Sequence, residues 1–64
     1  MTPAEFAALP IGSSVHDGAV GTAGVGVVFE KMIDWCTIKW SAPKAGSISA
    51  VDYDDPQISR WKSP

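Results

Sequence analysis

The chain opens on a pattern that suits one short helix. Thr2 can cap, Pro3 fits a first helical position, and Glu5 is spaced to reach back as a capping-box partner. Phe6, Ala7 and Leu9 follow, with Phe6 and Leu9 three apart and so side by side on a helix. Pro10 and Gly12 end the segment, which places the helix at about residues 3–9. From Ile11 onward strands and turns take over. Val15 precedes His16-Asp17-Gly18, read as a tight turn in which the glycine supplies a positive φ. Residues 19–30 then alternate. Ala19, Ala23, Val25, Val27 and Phe29 fall on one face, and Val20, Thr22, Gly24, Gly26, Val28 and Glu30 on the other. That is the period of a half-buried strand. Its glycines weaken it and also permit sharp bending.

Glu30 to Asp34 makes the next connection. Residues 35–41 alternate again, with Cys36, Ile38 and Trp40 as the inward set and Trp35, Thr37, Lys39 and Ser41 outward. Ala42-Pro43-Lys44-Ala45-Gly46 is turn-rich. Residues 47–53 form another strand whose parity conflicts: Ile48 and Ala50 lie on one face, Val51 and Tyr53 on the other. A bulge near Ala50–Val51 would reconcile them. Asp54-Asp55-Pro56 starts a single 3₁₀ turn through Ile58, and Arg60-Trp61-Lys62 is long enough for a last short strand.

Four or five short strands with Gly and Pro punctuation imply a small all-β barrel. The run Gly12-x-x-Val15-x-x-Gly18-x-x-Gly21-Thr22, then Val25-x-Val27, Ile38-x-Trp40 and Gly46, and finally Val51-x-Tyr53-Asp54-Asp55-Pro56-x-Ile58-x-x-Trp61, resembles the SH3-like small barrels of the Tudor and KOW type. In those families a late strand runs into a one-turn helix carrying an aliphatic residue. The resemblance spans about residues 12–62 and implies one domain over 1–64: a helix and lead-in at 1–11, then a five-stranded SH3-like barrel. Fold alone does not fix function. The plasmid-borne type II dihydrofolate reductases also use this barrel at this length. Gly46-Ser47-Ile48 is similar to the start of their late strand, but Ser49-Ala50-Val51 stands where they carry a Gln-Ile-Tyr triplet, so their cofactor-binding residues do not transfer.

Composition narrows the function classes. Sixty-four residues leave no room for two domains, and one cysteine excludes an internal disulfide framework. With 45% hydrophobic residues and a net charge of −2, the chain is not of the disordered class. So small a domain buries only about 60% of the surface its unfolded chain exposes. Its tryptophans are therefore the natural source of extra core or of a subunit interface, and a homo-oligomer is one expectation. The first residues lack the basic start and long apolar core of a signal peptide, and no run approaches the ~18 apolar residues of a membrane span. A cytoplasmic location is expected, consistent with the lone Cys36.

The candidate chemistry is sparse. His16 and Cys36 are the only His and Cys, and a thiol nucleophile needs a base within reach. The alternation puts Cys36 inside and His16 in an exposed turn. Gly18-x-x-Gly21-x-x-Gly24-x-Gly26 lacks the following helix that phosphate loops require. Asp52, Asp54 and Asp55 lack Ca²⁺-loop spacing and fit turn and capping chemistry. No catalytic residue, metal or cofactor is assigned. The aromatics carry more. Trp35 faces outward beside Asp34, and Tyr53 sits among Asp52, Asp54 and Asp55, an aromatic and acidic set suited to a basic or proline-rich partner. The expectation is a non-catalytic protein-binding or self-associating accessory module, of a size common among phage and mobile-element proteins. One alternative is a KOW-like nucleic-acid module in which Lys39, Arg60 and Lys62 meet phosphates and Trp61 stacks on a base; a second, implied by the resemblance above, is a small oligomeric enzyme like the type II dihydrofolate reductases. A sequence pI of 4.9 weighs against the first.

Overall fold

A computed structural model describes residues 1–18, 24–42 and 45–63. The helix α1 (Pro3–Ala8) is followed by β1 (Ser14–Asp17), β2 (Gly24–Lys31), β3 (Trp35–Ala42), β4 (Ile48–Asp52), a 3₁₀ turn (Pro56–Arg60) and β5 (Trp61–Lys62). All pairings are antiparallel, and the strands form one sheet in the order β4-β3-β2-β1-β5. The sheet is unclosed: β4 and β5 stand at its two edges. It nonetheless curls, because Val51 from one edge and Trp61 from the other share a single core cluster with Phe6, Ile38 and Ile58. Among the described residues no helix is long and apolar enough to cross a membrane.

The helix starts where its capping chemistry puts it. The Glu5 N–H donates to Thr2 Oγ1 at 3.2 Å and the Thr2 N–H to Glu5 Oε1 at 2.9 Å, satisfying two orphan donors reciprocally. Its one buried side chain, Phe6, makes edge-to-face contacts with Trp61 at 5.5 Å and Tyr53 at 5.7 Å. Trp40 meets Trp61 the same way at 5.5 Å. Such pairs add about 0.5–1.5 kcal/mol each beyond their burial, and this aromatic chain links α1, β3 and β5. Lys31 then ties the helix to the sheet. Its ammonium donates to the Ala7 and Leu9 carbonyls at 2.5 and 2.7 Å, two acceptors that the helix end leaves free.

The inward set on β3 is Cys36 and Ile38, both buried, with Trp40 packed on the core beside them. On β2 it is Gly24, Gly26 and Val28, so the glycine face points inward and Val25, Val27 and Phe29 point out. The two glycines make room for the Trp40 ring: a Cβ on Gly26 would lie 2.8 Å from Trp40 Cε3. Two irregularities bend the β2–β3 ladder, between Val25 and Gly26 and between Val28 and Glu30. A hydroxyl serves each one. Ser41 Oγ donates to the Val25 carbonyl at 3.1 Å, and Thr37 Oγ1 accepts from the Glu30 N–H at 3.0 Å.

Two expectations need correction. His16-Asp17-Gly18 is not a tight turn; His16 and Asp17 are strand residues, paired with Val25 and Gly24 on one side and Lys62 and Trp61 on the other. Ladder bonds on both sides outweigh a local turn preference there. The bulge expected near Ala50–Val51 is also absent, since β4 pairs with β3 in unbroken register from Ile48 to Asp52. The parity conflict is settled by exposure instead: Val51 is buried while Ile48 and Ala50 face outward. The segment 19–23, expected to continue β2 upstream, and Pro43 and Lys44 of the expected loop lie outside the described residues.

Candidate protein-binding surface

The β2–β3 hairpin closes over Met32, Ile33 and Asp34, with the Met32 N–H donating to the Trp35 carbonyl at 2.8 Å. So short a connection cannot fold its side chains back onto the core, and Ile33 is 92% exposed, Met32 42%. Tyr53 supports the hairpin from beneath. Its N–H donates to the Asp34 carbonyl at 3.1 Å and its hydroxyl to the Met32 carbonyl at 2.7 Å, while its ring packs on Phe6. The Lys31 ammonium lies 5.7 Å from the Tyr53 ring centroid. Burial first, then the nearby Cys36 and Asp34, pushes the Tyr53 phenol above its ordinary value, so it remains a donor to Met32.

Trp35 stands opposite Asp52 in the β3–β4 ladder, half-buried on the outer face. Asp34, Asp52 and Asp54 are exposed. Asp55 has a different task. One carboxylate oxygen accepts from the Gln57 N–H and the other from Gln57 Nε2, both at 3.0 Å, which caps the 3₁₀ turn. Of the six residues assigned to protein binding, the fold therefore gathers Asp34, Trp35 and Asp52 at one end of the sheet with Tyr53 as their support. Asp54 follows on the exposed side, and Asp55 is a structural cap.

The residues of the nucleic-acid reading are dispersed. Lys39 lies on the outer face of β3 with its ammonium 5.4 Å from the Phe29 ring centroid. Arg60 Nε donates to Asp17 Oδ1 at 2.9 Å in an ion pair. Lys62 is exposed on β5, three strands from Lys39, and Trp61 is 1% exposed, its ring enclosed by Phe6 and Trp40. His16 is exposed on β1 whereas Cys36 is buried on the inward face. Burial pushes the Cys36 thiol up, partly offset by the Lys31 charge.

Met32, Ile33 and the outer residues Val27, Phe29 and Ile48 did not figure in the sequence-based site. Two signals pointed to them: two apolar residues in a three-residue hairpin connection, and strands β2 and β4 that carry apolar residues on both faces. A solvated face of an antiparallel sheet is ordinarily polar. Comparison with family models, with curated proteins and with solved structures returns no match for this chain.

Proposed function

We propose that the chain is a non-catalytic protein-binding module of SH3-like architecture, whose hairpin end engages a basic, apolar partner surface. The observation that carries this is an almost fully exposed Ile33 and a half-buried Trp35 two residues on, with Asp34 between them in the chain and Asp52 opposite Trp35 in the β3–β4 ladder. Among the described residues Asp34, Asp52 and Asp54 have no ion-pair partner. An apolar anchor with like charges around it attracts cationic side chains and repels acidic ones, which is how such surfaces gain specificity. The meander β1 to β4, the 3₁₀ turn carrying Ile58 and the return of β5 beside β1 support the SH3-like reading.

Fluorescence anisotropy of a labelled peptide of alternating lysine and leucine tests the proposal, with a glutamate–leucine peptide and a labelled oligothymidine as comparisons. The lysine peptide is expected to bind, to weaken with salt, and to lose affinity with Ile33→Ser, a change at a solvated position that leaves the melting temperature unaltered. Trp35→Ala and Asp52→Asn are expected to act in the same direction. Equal binding of the glutamate peptide, or full affinity in Ile33→Ser, overturns the proposal. Oligothymidine binding at low salt would favour the nucleic-acid alternative.

A further inference from the structure

The two edges of the sheet are not alike. The β5 edge is two residues long and carries Lys62, and its Trp61 carbonyl accepts from the Met1 ammonium at 3.0 Å. A short, charged and capped edge of this kind resists further pairing. The β4 edge has none of these protections. Ile48–Asp52 holds an unbroken register with β3, contains no lysine or proline, and exposes Ile48, Ser49 and Ala50 in succession.

The ladder fixes which backbone groups the β4 edge offers. The Trp40 N–H donates to the Ser47 carbonyl at 2.7 Å, and the Tyr53 N–H to the Asp34 carbonyl at 3.1 Å. Bonded and non-bonded pairs alternate along an antiparallel ladder, so Ile38–Ser49 and Cys36–Val51 are the bonded pairs between those two contacts. Ile48, Ala50 and Asp52 therefore turn their N–H and C=O groups away from β3. The Asp52 carbonyl accepts from the Asp55 N–H at 3.1 Å. The N–H and C=O of Ile48 and Ala50, and the N–H of Asp52, have no partner among the described residues. An extended backbone, with a donor and an acceptor on every second residue, is what matches such a row.

Resting on the protein-binding reading above, we infer that the basic partner is an extended segment that adds to β4 as a further strand, antiparallel because that pairing is the more stable. Charge sets its register. Asp52 lies at the hairpin end of the edge, opposite Trp35 in the ladder and with Asp34 and Asp54 exposed at the same end. Among the described residues none of the three carboxylates has a cation within ion-pair distance. Directly opposed residues on neighbouring strands put their side chains on the same face. A lysine of the partner opposite Asp52 thus aims its own N–H and C=O at β4, and so does every second residue along from it. The residues between them aim theirs at solvent. Main-chain bonds supply the affinity and the lysine–Asp52 contact the register.

Backbone-methylated forms of the lysine–leucine peptide, with amide exchange measured on the full chain, test this. N-methylation of the lysine residues removes the donors that face β4 and is expected to weaken binding by about ten-fold or more. N-methylation of the leucine residues is expected to leave affinity within about two-fold. At saturating unmethylated peptide the Ile48 and Ala50 amides are expected to exchange at least about ten-fold more slowly than in the free chain. Ala50→Pro deletes an N–H that points away from β3, a change that sheet edges tolerate, and is expected to weaken the peptide as lysine methylation does. The peptide series needs no change in the protein, so it decides the matter whether or not the proline variant folds. Loss of affinity with both methylated sets, with neither, or with the leucine set alone overturns the inference. So does unchanged exchange at Ile48 and Ala50 with peptide bound, or a folded Ala50→Pro chain of full affinity. Protection of the same two amides without peptide, in protein sedimenting at twice 6.8 kDa, would put the β4 of a second copy on the edge and overturn it too. If the unmethylated peptide binds and Ile33→Ser abolishes that binding, these failures touch the added strand alone. If the unmethylated peptide does not bind at all, the protein-binding reading fails with it.

Discussion

Replacing Gly26 by alanine probes how the sheet reaches its curvature. A Cβ there would lie 2.7 Å from Ile38 Cγ2, 2.8 Å from Trp40 Cε3 and 3.1 Å from the Lys39 carbonyl oxygen. Ordinary carbon contacts are about 3.5–4.0 Å, so β3 must retreat by nearly an ångström across its centre. Ile38 is fully buried, and Trp40 is held by Trp61 and by its own Nε1, which donates to Ser49 Oγ at 3.0 Å. Neither side chain can swing clear. Overpacking of this kind costs about 1–3 kcal/mol, with larger values where nothing yields. Alanine recovers about 0.5–1 kcal/mol through its smaller backbone entropy loss. The expected net loss is about 2 kcal/mol, against a total of about 3–10 kcal/mol for a domain of this size. That corresponds to a melting temperature about 10 °C lower. Gly24→Ala meets only the edge of Trp40, at 3.0 Å, and Asp17 Cβ at 3.4 Å, and is expected to cost less. Urea and thermal unfolding, followed by far-ultraviolet circular dichroism and tryptophan fluorescence, measure both variants. A Gly26→Ala protein as stable as the parent, or less affected than Gly24→Ala, would refute the packing argument.

Three further predictions concern the framework. Lys31→Met keeps the apolar stem but strands the Ala7 and Leu9 carbonyls; a loss of about 2 kcal/mol and faster amide exchange in α1 are expected, and an unchanged melting curve would contradict the anchoring role. The Glu5 carboxyl is held below its ordinary value, first by the Thr2 N–H and then by the Thr2 hydroxyl. Its contribution to stability is present above its unfolded value of 4.5 and is lost as pH falls through the lower folded value, so Glu5→Ala should flatten that part of the acid limb; a Glu5 carbon resonance titrating at or above 4.5 in the folded protein would contradict it. Cys36 should resist aromatic disulfide reagents at pH 8 in the folded chain and react only on unfolding, because burial raises its thiol above the ordinary value; labelling at the rate of a free thiol would show that the core opens there.

Local chemistry made much of this fold legible in the residues. The helix boundaries follow from Thr2, Pro3 and Glu5, the inward face of β3 from strict alternation, and the 3₁₀ turn from Asp55-Pro56. Period alone could not say which face of β2 is inward, because both faces carry valines. Packing decided it: only the glycine side leaves room for Trp40. Nor could local preference separate strand from turn at His16-Asp17, since the deciding bonds come from β2 and from β5, distant in sequence. The binding surface was half legible. Trp35 and the aspartates were visible as an aromatic and acidic set, but Tyr53 turned inward with Phe6, and Asp55 was taken up by its cap. Phe29, Ile33 and Ile48 were not marked as surface by their apolar side chains, and only the sheet places them outside.

Amide chemical-shift mapping on ¹⁵N-labelled protein, during titration with the lysine–leucine peptide, bears most directly on the claim that the hairpin end is a protein-contact surface. The account predicts that the largest changes fall on Ile33 to Thr37 and on Ala50 to Asp54, and that they diminish together in Ile33→Ser. Changes centred instead on Asp17 and Arg60 to Lys62, at the β1–β5 edge, or no localised changes at all, would contradict it.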